Sequence, residues 1–173
     1  VNVITLAFKV SECNGWPKVE ILIDDDLYED RHFTTTNEQV TLPVDLIDGD
    51  HLLTIEIYDK LPKNTIIDSD GNIIDDQLIE LTDIYVNDIK LPKWFKNIGV
   101  YEFKDQTYPQ ACVWGCNGVW AWKFSTPLLT WVLDKQIENR ELYNPPGITH
   151  REEMAREVEI LERFEVALNI KKK

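Results

Sequence analysis

Short alternating runs of apolar and polar residues dominate the first half of the chain. In residues 51–58, Leu53, Ile55 and Ile57 fall on one side of an extended backbone, while Thr54, Glu56 and Tyr58 fall on the other. One such face is a core face. Similar short runs rich in β-branched and aromatic residues occupy 3–10, 18–23, 39–44 and 78–86, and each predicts a strand. Within 80–86 the alternation is less regular, which suits a strand whose second face is partly covered. Turn signals separate these runs: Asn14-Gly15-Trp16-Pro17, Asp24-Asp25-Asp26, Asp48-Gly49-Asp50 and Asp70-Gly71-Asn72. Their spacing predicts a mainly β chain, an antiparallel β-sandwich of jelly-roll type.

After Leu91-Pro92 the pattern changes. Trp94, Phe95, Tyr101, Phe103, Tyr108, Trp114, Trp120, Trp122, Phe124 and Trp131 crowd together. Residues 111–114 and 119–124 predict a Trp-rich β-hairpin around Gly115-Cys-Asn-Gly118. Thr126-Pro127 predicts a helix start, with Thr as cap and Pro in the first turn, and an end near Asn139. A break at Pro145-Pro146-Gly147 precedes Thr149 and Glu152, which have the spacing of a capping box. A second helix is expected over 150–168, its apolar stripe of Met154, Val158, Leu161, Phe164 and Leu168 docking on this chain or on a neighbour, with Lys171 to Lys173 favouring its negative end. Two parts follow: a sandwich over 1–92, then an aromatic hairpin with two α-helices over 93–173, a docking or assembly region.

Charge narrows the partners. With 31 acidic against 18 basic residues and a net charge of -13, the chain repels a phosphate backbone, so no nucleic-acid partner is expected and cations suit it better. Cys13, Cys112 and Cys116 are an odd number, so reduced thiols are expected, and no second Cys/His pair completes a zinc site with Cys112 and Cys116. No apolar stretch reaches the roughly 18 residues that cross a bilayer, so no membrane span is expected. His32, His51 and His150 fall in no catalytic pattern, no nucleophile elbow or phosphate loop occurs, and the separation that would make Asp24 and Asp76 a glycosidase acid and base is not set by the sequence. The expectation is a protein that is not an enzyme.

The acidic loops hold the remaining chemistry. Asp68-Ser-Asp-Gly-Asn72, followed by Asp75 and Asp76, concentrates the oxygen ligands that calcium prefers, without the spacing of an EF-hand; a solvated hairpin tip has the same composition. Gly15-Trp-Pro17 before one strand, Ile23-Asp24 at its end, Gly49-Asp-His51 opening another, and residues 76–87 then follow in a distinctive order. Over residues 3–91 this order resembles the calcium-dependent, xylan-binding type of carbohydrate-binding module. The resemblance implies a β-sandwich whose exposed Ca2+ is coordinated by sugar hydroxyls, with Asp59 and Asp76 as metal carboxylates, Glu12 as a third and Asp75 beside them. It departs at Asp76-Gln77-Leu78, where that family has Asp-Arg-Asn, and in an acidic insertion between Asp59 and Asp76.

Trp16 and Asp24 belong to the same motifs and are expected to face a glycan. Trp120 and Trp122 are a stacking platform for sugar rings on one reading. On the other, favoured by the alternation of Trp120, Trp122 and Phe124, they form a small core. The layout of a sandwich followed by a Trp-rich segment looks similar to virion proteins of tailed phages. That similarity implies a structural, decoration or adhesion protein of a phage particle, partnered by neighbouring virion subunits or by itself. The alternatives are a free-standing, secreted glycan-binding module and a glycoside-active enzyme.

Overall fold

The computed structural model describes residues 2–142. Its strands run β1 (Asn2–Ser11), β2 (Lys18–Ile23), β3 (Asp26–His32), β4 (Asn37–Val44), β5 (Gly49–Tyr58), β6 (Thr65–Ile67), β7 (Ile73–Asp76), β8 (Leu78–Val86), β9 (Ile89–Lys90), β10 (Val100–Phe103), β11 (Gln106–Pro109), β12 (Val113–Trp114) and β13 (Gly118–Thr126). Short 3-10 helices lie at Pro62–Asn64 and Lys93–Ile98. All strand pairs are antiparallel. A five-stranded sheet has the order β12-β8-β1-β4 with β9 also on β8, and a six-stranded sheet has the order β11-β10-β13-β5-β2-β3. β6 and β7 form a separate two-stranded hairpin.

The period of two decides which side chains are inside. Ile4, Leu6 and Phe8 of β1 and Val40, Leu42 and Val44 of β4 are buried from one sheet. Val19, Ile21 and Ile23 of β2 and Leu53, Ile55 and Ile57 of β5 are buried from the other. The two inner faces meet as layers of a sandwich. Phe8 and Phe33 touch edge to face at 5.3 Å between ring centroids, and Trp114 of the first sheet lies 5.7 Å from Trp120 of the second. The second face of β8 is half-buried throughout, as its uneven alternation suggested, and a bulge adds to the irregularity. The bulge leaves Thr82 unmatched between the pairs Phe8↔Leu81 and Ala7↔Asp83, and its hydroxyl donates to the Ala7 carbonyl at 3.1 Å.

Three expectations for the second half are corrected. Strands occur at Val113–Trp114 and Gly118–Thr126, yet they form no hairpin: β12 pairs with β8 in one sheet and β13 with β5 and β10 in the other. Residues 115–117 cross from layer to layer. The expected boundary after residue 92 therefore does not divide the sandwich, and one compact unit spans Val1–Thr126. Thr126 does not cap the following helix. Its hydroxyl instead donates to the Ile47 carbonyl at 2.5 Å and accepts from the Gly49 amide at 3.1 Å.

The second unit, Pro127–Lys173, is described through one helix, α1 (Leu128–Leu142), which buries Leu128, Leu129, Trp131 and Val132 in its first turns. The helix expected over 150–168 lies outside the described residues. Among the described residues no helix is long and apolar enough to cross a membrane.

Candidate functional site

Chemistry collects at two places on the sandwich. The first is a polar junction at the end of β5. β5 stops at Asp59, where φ is +60°, and the chain turns Lys60 inward. The Lys60 ammonium donates to Asp76 Oδ1 at 2.5 Å, to the Gln77 carbonyl at 2.9 Å and to the Gly115 carbonyl at 2.5 Å. Its side chain is 9% exposed and that of Asp76 14%. The same Asp76 oxygen accepts from the Thr65 hydroxyl at 2.6 Å.

Asn64 and Gln77, both buried, extend the network. Asn64 accepts from the Leu61 amide at 2.8 Å and donates to the carbonyls of Cys13 and Asn14 at 2.8 and 3.1 Å. Gln77 Nε2 donates to the Gly15 carbonyl at 2.8 Å. Buried polar groups of this kind are costly unless satisfied, and here each finds partners.

The junction brings together two of the segments that carry the family-like motifs, at Gly15 and at the start of β8, with the end of β5, where Asp59 lies. It does not assemble the expected calcium ligands into a cage. Asp76 is engaged by Lys60 and Thr65. Asp59, its side chain 64% exposed, pairs with Lys18 at 3.0 Å. Glu12 is exposed, and Asp75, also exposed, accepts from the Asp76 amide at 2.9 Å. Among the described residues no three His, Cys, Asp or Glu side chains converge as a metal site. The Asp68 loop closes on itself, its carboxylate accepting from the amides of Asp70 and Asn72 at 2.9 and 2.8 Å.

The expected glycan contacts are scattered. Trp120 and Trp122 are each 0% exposed, so they fill the core and offer no platform; the Trp122 indole donates to the Phe95 carbonyl at 3.0 Å. Trp16 is half-buried. Asp24 is spent on structure: it holds His51 Nδ1 at 2.6 Å and accepts from the Leu52 amide at 2.9 Å. The His51 hydrogen bond is the main reason its carboxyl lies below the usual range.

The second place is an open cleft of about 450 Å³ where the β10–β11 hairpin meets the start of β13. It is lined by Glu102, Phe103, Gln106, Thr107 and Asn117 among others. Lys104 and Asp105 form its two-residue turn with φ of +49° and +58°, and the Lys104 ammonium sits 5.0 Å from the centre of the Phe103 ring. The cleft closes a row across the outer face of the six-stranded sheet, because register sets Asp30, Glu20, Glu56, Val119, Glu102 and Thr107 side by side on successive strands. Near the other end, Tyr58 donates to Asp30 at 2.6 Å, a bond that pushes its hydroxyl up to about 12.

Sequence reasoning missed Lys60, Asn64 and the cleft. Lys60 follows a strand as one more charged loop residue. The hairpin of β10 and β11 is hidden by a Lys at the first turn position, where Asn, Asp or Gly is the usual signal.

No family model and no curated protein matches the sequence. Among solved structures, the chain is similar to the selenomethionine form of vCBM60, described in a study of two families of calcium-dependent carbohydrate-binding modules. Identity is 16%, the match covers 70% of this chain and 90% of that one, and the TM-score is 0.49. It is also similar to vCBM60 in complex with galactobiose, at 16% identity over 69% of this chain and 96% of that one, with a TM-score of 0.46.

Proposed function

We propose that this chain is a non-catalytic, glycan-binding β-sandwich that takes its ligand in the cleft at the β10–β11 hairpin. The observation that carries the reading is the lining of that cleft. A volume of about 450 Å³ is the size of a small-ligand site, and the side chains around it are planar amides, carboxylates and hydroxyls more than aliphatic ones. Such groups both donate to and accept from sugar hydroxyls. Phe103 adds a flat apolar surface of the kind sugar rings stack on. The order of short motifs over residues 3–91 supports the same class of function.

Of the aromatic residues expected to meet a neighbouring subunit, Trp114, Trp120, Trp122 and Phe124 are at most 1% exposed and fill the core, whereas Tyr108 is 40% exposed.

The test is titration of the isotope-labelled chain with neutral oligosaccharides, followed by amide chemical shifts. Shifts confined to 102–107 and 117–119, with affinity reduced about tenfold by Glu102→Gln, are expected, since one charge-assisted hydrogen bond is worth about 1.4 kcal/mol or more. Shifts elsewhere, or none with any oligosaccharide, would remove the cleft from consideration.

A further inference from the structure

We infer that Lys60 is the resident cation of this sandwich: its ammonium fills the oxygen cluster where the motif resemblance puts calcium, so the junction works without metal, and removing the ammonium opens a site for a small external cation.

The donor count supports this. An ammonium has three N–H donors and no acceptor. Lys60 meets three oxygens, one from the Asp76 carboxylate and one each from the carbonyls of Gln77 and Gly115. One positive charge faces one negative charge in a place nearly closed to water. A calcium ion seeks six to eight oxygens. To enter, it would have to expel Lys60, and Asp59, the other expected carboxylate, is bound to Lys18.

Two further features hold the ammonium in place. Asn117 clamps the Lys60 backbone from both sides, accepting from its amide at 2.9 Å and donating to its carbonyl at 3.0 Å. Gly115 passes so close that a Cβ there would lie 2.9 Å from Leu78 Cδ2 and 3.1 Å from Asp76 Oδ2, so a glycine is what lets this carbonyl reach the ammonium. The end of β5, the start of β8 and the crossover at 115–117 are thereby tied through one nitrogen, as a structural metal ties loops.

Thermal unfolding of the full chain tests the inference. The unmodified chain is expected to melt at the same temperature in millimolar calcium and in chelator. Lys60→Met keeps the length of the side chain and leaves a buried carboxylate uncompensated; its midpoint is expected to fall by about 10 °C. In Lys60→Ala, where volume is vacated, methylammonium is expected to restore several degrees beyond a sodium chloride control of equal ionic strength. A calcium-dependent rise in the unmodified chain that Asp76→Asn abolishes would overturn the inference. So would a Lys60→Met chain that melts with the unmodified one. If neither Lys60 variant folds, the calcium and chelator scans of the unmodified chain still decide.

Discussion

His51 is held so that both of its ring nitrogens face acceptors. Nδ1 meets Asp24 at 2.6 Å and Nε2 meets the Ile47 carbonyl at 2.9 Å, an arrangement that the doubly protonated ring satisfies and the neutral ring does not. Burial alone pushes the imidazole down, but the bond to Asp24 and the Ile47 carbonyl outweigh it, and its pKa lies above the usual 6.5. A raised folded pKa contributes stability that is fully present below the unfolded value and is lost as pH rises through the folded one. Asp24 has the opposite sign: its folded value is lowered, so its contribution is present above the usual 3.8 and is lost as pH falls through the folded value. The pair is expected to stabilise most between about pH 4 and pH 6.5. Melting scans from pH 6 to 9 should show the midpoint declining, and His51→Gln should flatten that decline; an equally steep decline in the variant would place its cause elsewhere. The sequence placed His51 in no catalytic pattern, and in the structure it holds a turn, since Thr126 and Ile47 share its Nε2.

At the scale of elements, what alternation carries is legible and what edges carry is not. β2 and β8 fall where the apolar pattern places them, because their inner faces are rows of Val, Ile and Leu, shifted by one residue at the bulge in β8. β3 is missed. Its sequence Asp-Leu-Tyr-Glu-Asp-Arg-His is mostly polar because it lies at the edge of the six-stranded sheet, where charge also blocks further pairing. The turns are more informative than their composition suggests. Asp24-Asp25, Asn87-Asp88 and Lys104-Asp105 each have positive φ at both positions, the geometry of type I′ hairpins. Asn87 also accepts from the Val3 amide at 2.8 Å, so it has a second duty, whereas exposed Asp88 pays a backbone cost at φ +65° that glycine would not. Asp88→Gly is expected to raise stability by about 0.5 to 1 kcal/mol, or a few degrees in the midpoint. A fall in the midpoint would show that the Asp88 side chain does more than occupy the turn.

At the scale of the whole molecule, the aromatic segment is the part whose role composition most misrepresents. A cluster of Trp and Tyr after a Pro reads as a new region with a surface of its own, yet alternation already told Trp120, Trp122 and Phe124 apart from their neighbours as one face. What one sequence does not reveal is the partner of that face, since long-range pairing of β13 with β5 leaves no local mark. In the register found, Trp120 lies opposite Ile55 and Trp122 opposite Leu53, so β13 is a central strand. The approach is close: at Gly99 a Cβ would lie 2.2 Å from the Trp120 ring. Burying a large side chain contributes about 2 to 3 kcal/mol, so Trp114, Trp120, Trp122, Phe124 and Tyr101 together contribute on the order of 10 kcal/mol, as much as the net stability of an ordinary domain. A chain cut after residue 92 would lose that core and leave β5 and β8 with bare edges. It is expected to show no cooperative melting transition and no native aromatic circular dichroism, whereas a chain ending at Thr126 keeps both sheets and should melt cooperatively. Cooperative melting of the 1–92 fragment would mean that the first nine strands close a core by themselves, and that the Trp-rich strands are added to a sandwich already complete.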